Sequence, residues 1–182
     1  MVLRLMPRAF QKEKYQMNIL ILNGSPRPNG DTKKMINAFT EAASGHKIDV
    51  IDVCRKNIHG CLACEYCHTK GGGRCIQQDD MQEVSELLAE AEMLVIASPI
   101  YYHNLSGQLK CAIDRIYALD KPAKLKRIAM FLSSGSGNMY DGAKFSYDGD
   151  FLDYLKLEGM GIFTNHDENV TEKISEMAAS LR

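Results

Sequence analysis

Two groups of residues in this chain have the types and spacing to do chemistry. The first is Ser25, Arg27, Asn29, Gly30 and Thr32, in a stretch (23–30) that packs two glycines, two prolines and two asparagines into eight residues. Ahead of it, residues 19–22 form an unbroken apolar run, as suits a strand buried on both faces of a parallel sheet. Behind it, Met35, Ile36, Phe39 and Ala43 fall at helical spacing. A loop between a strand and a helix start aims free backbone N–H groups and the positive end of the helix dipole at one point, which suits a phosphate. Ser25 and Thr32 add hydroxyl donors and Arg27 adds charge. The plainer alternative is an ordinary glycine-bearing turn whose helix is capped by Asp31 or Thr32. Gly30 is followed by Asp-Thr rather than Lys-Thr, so this is not a Walker loop, and the GxGxxG spacing is absent. The absence of a cysteine in the loop argues against a cysteine-nucleophile phosphatase, and Asn23 where a receiver domain needs an acid argues against a receiver.

The second group is Cys61, Cys64, Cys67 and Cys75: three at CxxC spacing, then one eight positions on, after Gly71-Gly72-Gly73. Three thiolates so spaced converge on one small centre, and a fourth from a glycine-flexed loop closes it. Zinc with His59 or His68 as extra ligands, plain thiols and redox pairs all stay open. Disulfides are disfavoured, because nothing marks the chain as secreted.

Strand-helix alternation must position both groups. A second strand is expected over 46–53, a long loop or insertion over 54–78 holding five of the six cysteines, and a helix opened by an Asp80–Glu83 capping box through about Ala91. A third strand follows at 93–97, then a loop over 98–105. Ser106 is read as the cap of a helix whose core stripe is Leu109, Ala112, Ile113 and Ile116, with Lys110 and Asp114 as a solvated pair. A fourth strand (128–132), a small-residue loop, a helix at 150–157, a weak fifth strand (161–164) and a final helix (171–181) complete the chain. This pattern is doubly wound α/β with right-handed crossovers. In such folds ligands sit beyond the carboxyl ends of the strands, where strand order reverses. Three loops meet there. The first supplies phosphate donors, Pro99, Ile100, Tyr101 and Tyr102 supply apolar and aromatic surface, and the loop holding Ser133 and Gly135 lets backbone approach closely. A flat aromatic ligand with one phosphate fits the set.

At 182 residues and 45% hydrophobic composition the chain makes one domain with a sizeable core. A net charge of −1 with both signs dispersed gives no reason to expect nucleic acid as partner. No apolar run approaches the ~20 residues that span a bilayer, and a soluble, cytoplasmic protein is the expectation. Residues 1–16 carry four basic side chains and one acid with no repeating apolar face, and read as a flexible extension before a domain over 17–182.

Gly24-Ser25-Pro26-Arg27 with Gly30 and Thr32, a cysteine loop ending in Asp79-Asp80-Met81, Ser98-Pro99-Ile100-Tyr101-Tyr102, Ser-Gly-Gln-Leu-Lys at 106–110 and Ile113-Asp114-Arg115 together resemble the NAD(P)H-dependent FMN reductases. Within that group the resemblance is greatest to the iron-sulfur flavoproteins, and it covers about 17–182. It implies a flavodoxin-like three-layer sandwich on a five-stranded parallel sheet of order 2-1-3-4-5, with FMN as cofactor. It further implies that Ser25, Arg27, Asn29, Gly30 and Thr32 hold the phosphate, and that Pro99, Ile100, Tyr101, Tyr102 and Asn104 with Ser133 and Gly135 flank the ring. Cys61, Cys64, Cys67 and Cys75 then match a compact [4Fe-4S] motif, the thiolate chemistry such clusters use. The implied activity is electron transfer from NAD(P)H, or from a carrier such as ferredoxin, to a small acceptor such as a quinone or flavin. No catalytic side chain is named, since the flavin carries the chemistry, and a homodimer or homotetramer is implied. A non-enzymatic electron-transfer flavoprotein and a zinc-stabilised fold are the alternatives.

Overall fold

The computed structural model describes residues 15–181. Of the extension expected over 1–16, residues 1–14 lie outside the described residues, and Tyr15 donates a hydrogen bond to Glu92.

Five parallel strands form the sheet: β1 (Asn18–Asn23), β2 (Lys47–Asp52), β3 (Met93–Tyr101), β4 (Arg127–Ser133) and β5 (Glu158–Thr164). Their spatial order is β2-β1-β3-β4-β5, as expected. One addition to the expected sheet is a two-residue strand, Asn104–Leu105, antiparallel to the end of β3. It exists because β3 runs on to Tyr101, and Tyr102 and His103, both at positive φ, turn the chain back.

Alternation along the strands divides the core into two layers. Ile19, Ile21, Val95, Ala97, Ala129 and Phe131 face α1 (Asp31–Ala42) and the last helix, where Met35, Ile36, Phe39, Ile174 and Ala178 meet them. Leu20, Leu22, Leu94, Ile96, Ile128 and Met130 face the other side. That layer is closed by α3 (Met81–Glu90), α4 (Gly107–Ile116) and α5 (Asp141–Ser146); α2 (Tyr66–Thr69) lies in the cysteine insertion and α6 is Val170–Ala179. Burying each large aliphatic side chain contributes roughly 1.5–3 kcal/mol, which is why both faces of every central strand read as apolar.

Local expectations fail where a distant partner intervenes. Asp80 makes no capping bond to α3. Its backbone is already helical (φ −65°), so its carboxylate turns away and accepts the Asn57 N–H at 2.7 Å, while Asp79 takes the Met81 N–H. The helix expected at 150–157 starts earlier, as α5 continuing into a π-helix, Tyr147–Tyr154. The fifth strand is weak in pattern because of a bulge: Ile128 pairs with Gly159 and Ala129 with Gly161, which has φ +113°. The Tyr147 hydroxyl fills that irregularity, accepting the Gly161 N–H and donating to the Ile128 carbonyl. No helix among the described residues is long and apolar enough to cross a membrane.

Candidate functional site

Register brings the ends of the strands level. Asn23 pairs with Asp52 and with Ala97, and Pro99 pairs with Ser133. The three loops beyond these ends therefore close around one cleft of about 410 Å³, at the point where strand order reverses between β1 and β3.

Its floor is the loop between β1 and α1. The Asn23 amide donates to Asp52 and its carbonyl accepts the Ser25 N–H, fixing the turn. Gly24 donates its N–H to the Ala97 carbonyl, and a Cβ at that position would stand 2.5 Å from Ser106 Oγ and 2.9 Å from Leu109 Cβ. Glycine is thus required by the close approach of α4. The half-buried Cys54 thiol, its pKa raised first by desolvation and then by the charge of Asp52, donates to the Ser25 carbonyl. The helix cap itself is Gly30, and no side chain caps α1. The plainer alternative of a turn capped by Asp31 or Thr32 is therefore not what the chain does. The first N–H groups of a helix have no intrahelical acceptor, and here they open on the cleft. The buried Thr32 hydroxyl spans the cleft base to Ser133 Oγ at 2.8 Å.

Of the residues expected in the site, Ser25, Arg27, Gly30, Thr32, Pro99, Ile100, Tyr101, Ser133 and Gly135 line the cleft. Asn29, Tyr102 and Asn104 do not: Tyr102 is 98% exposed at the tip of the strained turn, and the Asn104 carbonyl is spent on the Leu105 N–H. Pro26, Asp31 and Ser134 join the wall without having been singled out. Asp31 stays ionised: a hydrogen bond from Lys34 lowers its pKa first, against a smaller burial effect, with Asn165 and the charge of Arg27 helping. Asn165 was also missed. Its carbonyl accepts the Ser134 N–H and the Tyr140 hydroxyl, and its amide donates to the Ser134 carbonyl, so one side chain pins the whole third loop. Only its place just beyond the last strand could have signalled it.

The cysteine insertion builds a second hollow, lined by Cys61, Cys64, Cys67 and Cys75 together with Arg115, Glu65 and Tyr117. Ala63 and Glu65 take positive φ, bending the chain between Cys61, Cys64 and Cys67, all three of which line the hollow. The Gly73 N–H donates to the Cys67 carbonyl, and Gly72 and Gly73 supply the left-handed turn that returns Cys75 to its neighbours. All six cysteines are free thiols. Among the described residues no three Cys, His, Asp or Glu side chains converge closely enough to hold one metal ion. The four thiols ring a hollow instead, a donor set suited to a cluster in which each iron takes one thiolate.

At the neck of the insertion stands a buried ion pair. Arg115 Nη1 and Nη2 donate to the two Asp79 oxygens at 2.8 and 3.0 Å, with side-chain exposures of 1% and 2%. Asp79 also accepts the His59 N–H, and Arg115 donates to the His59 carbonyl. Burial pushes the Asp79 carboxyl up, but the Arg115 and backbone hydrogen bonds outweigh it and bring its pKa down to about 2. Arg115 takes the place expected for Ile113 on the buried face of α4, since Ile113 is only half-buried. Its i+3 spacing from Ala112 was the available signal.

Comparison with known proteins agrees with this geometry. Residues 17–148 match the family of NADPH-dependent FMN reductases. An iron-sulfur flavoprotein of Archaeoglobus fulgidus is 38% identical over 95 residues, 51% of this chain and 42% of that protein. A second, from Methanocaldococcus jannaschii, is 37% identical over 125 residues, 65% of this chain and 62% of the relative. The chain thus spans less than two thirds of either curated relative. Among solved structures, an NAD(P)H:quinone oxidoreductase from Methanothermobacter marburgensis superposes with a TM-score of 0.65 at 19% identity, covering 91% of this chain and 96% of that one.

Proposed function

Because the chain belongs to the family of NADPH-dependent FMN reductases, we propose that it binds FMN in the cleft at the sheet's carboxyl edge and works as a flavin oxidoreductase. One observation carries this reading: three loops close on one cleft whose floor is a helix start with no side-chain cap. Ser25, Arg27, Gly30 and Thr32 are assigned to the phosphate and Asn29, outside the cleft wall, to the turn that presents them, with the part-buried Thr32–Ser133 hydroxyl pair positioned to donate to the phosphate. Pro99, Ile100 and Tyr101, with Ser133 and Gly135, are assigned to the ring; Tyr102 and Asn104 shape the rim. Bound FMN supplies hydride and one-electron chemistry. The protein's part is to hold the ring against the end of β3 and leave its outer edge open to NAD(P)H and to a small acceptor such as a quinone or a flavin. The exposed Tyr101 and Tyr102 at that edge suit completion by a second subunit, so a homodimer or homotetramer belongs to this reading, as does a cytoplasmic location.

Cys61, Cys64, Cys67 and Cys75 are assigned as ligands of a [4Fe-4S] cluster, supported by their common hollow and by the iron-sulfur flavoproteins among the relatives. That hollow favours a second route, in which electrons arrive from a carrier such as ferredoxin rather than from a nicotinamide. An anaerobic visible spectrum, with iron, acid-labile sulfide and zinc assayed on the same sample, tests both sites. Flavin bands with about four irons per chain are expected, and a chain unable to take up FMN would overturn the assignment. Steady-state NAD(P)H oxidation then separates the routes: no turnover with any acceptor, alongside rapid reduction by ferredoxin, would sink the reductase.

A further inference from the structure

Arg115 has one atom that the neck of the insertion does not use. Its two terminal nitrogens are taken by Asp79 and by the His59 carbonyl, yet Nε is fully buried and has no hydrogen-bond partner. A buried N–H left unpaired costs roughly 1–3 kcal/mol, so its direction needs a reason. The same side chain forms part of the wall of the four-cysteine hollow, and Cys75 stands on that wall too.

Resting on the cluster reading above, we propose that Arg115 is a positioning residue for the Cys75 corner: Asp79 locks the guanidinium so that Nε–H is directed at the Cys75 sulfur when that sulfur is a cluster ligand. The geometry is specific to arginine. Its planar fork gives Asp79 two parallel bonds and leaves the third direction fixed, whereas a lysine ammonium held by Asp79 has no second rigid donor. Burial lowers the Arg115 pKa, and hydrogen bonding and charge at Asp79 and at Cys75 together carry it above its ordinary value, which agrees with a Cys75 sulfur close by. Hydrogen bonds to ligand sulfurs and local charge set the potential of an iron-sulfur cluster. A donor and a positive charge stabilise the reduced, more negative state, so Arg115 raises the midpoint potential.

The test uses the full chain with its cluster, prepared anaerobically, and reads the cluster midpoint by EPR-monitored redox titration. In Arg115→Lys the midpoint is expected to fall below that of the wild type, with iron content, FMN content and the FMN midpoint unchanged. A merely structural arginine would leave the potential where it was, and an unshifted midpoint with iron retained overturns the proposal alone. Absence of iron and sulfide from the wild-type chain overturns the cluster reading, and this inference with it. A second measurement does not depend on the variant folding. Pulsed EPR of the reduced wild-type protein, made with arginine labelled with nitrogen-15 at Nε, should show coupling to that nucleus, and its absence overturns the assignment.

Discussion

Two polar arrangements set residues apart by what surrounds them. Thr32 is buried and its hydroxyl position is fixed by Ser133, while Arg27 is exposed. A fixed donor to a charged group is worth about 1.5–3 kcal/mol, so Thr32→Val is expected to weaken FMN binding roughly 10- to 100-fold. Arg27→Ala should cost only a few-fold, and that part should fade at high salt because solvent screens an exposed charge. Flavin fluorescence titration of the apoprotein checks both, and an unchanged Kd in Thr32→Val would move the phosphate away from this loop. Asp79 gives a pH prediction. Its folded pKa of about 2 lies below the unfolded value of ~3.9, so its contribution, about 2 kcal/mol, is fully present above pH ~4 and is lost as pH falls toward 2. Urea unfolding at pH 5 and pH 3 should show a loss in the wild type that is smaller in Asp79→Asn. Both residues stood in the sequence as parts of motifs, but their roles did not, because Ser133 and Arg115 reach them from far along the chain.

Elements were legible wherever an apolar period ran unbroken. The buried face of α1 is the one its spacing gives, and in α6 the apolar spacing of Ile174, Met177 and Ala178, continued by Leu181 just past its end, marks the buried face, with Met177 half-buried. They were illegible where a single long-range bond redirects the backbone: the Asp80–Glu83 capping box yields to Asn57, and the bulge at Gly161 hides half of β5. The stripe of α4 shows both behaviours, with Leu109, Ala112 and Ile116 buried as expected and Arg115 displacing Ile113. The packing of that helix onto the loop after β1 makes a prediction. Gly24→Ala would drive a methyl group against Ser106 and Leu109, an overpacking cost of about 1–3 kcal/mol. Because α4 and the loop after β1 would move apart, FMN affinity should fall together with the urea midpoint. A variant with wild-type stability and affinity would show that the contact between loop and helix is soft.

At the scale of the whole molecule, layering followed from repeated strand-helix alternation, since a parallel sheet needs covered faces and right-handed crossovers, whereas the particular strand order came from the resemblance to the FMN reductases. The cleft followed from the reversal of strand order. What alternation does not encode is how the start of β1 is anchored, and Met17 supplies that anchor. Its side chain is buried in the layer under α1 and α6, its N–H donates to His46 Nδ1, and its carbonyl accepts the Lys47 N–H. Tyr15, by contrast, is exposed and among the described residues holds only a surface hydrogen bond to Glu92, a carboxylate that also accepts the Asn18 N–H. Exposed bonds of that kind contribute little, roughly 0–1 kcal/mol. A chain begun at Met17 should therefore keep its thermal midpoint within a few degrees and bind FMN at the same stoichiometry and affinity as the 182-residue chain. A chain begun at Asn18 should lose considerably more, because truncating a buried methionine removes core volume worth about 2–5 kcal/mol. Calorimetry with flavin titration of the two shortened chains distinguishes these outcomes, and loss of flavin binding on starting at Met17 would place part of the leading segment in the site.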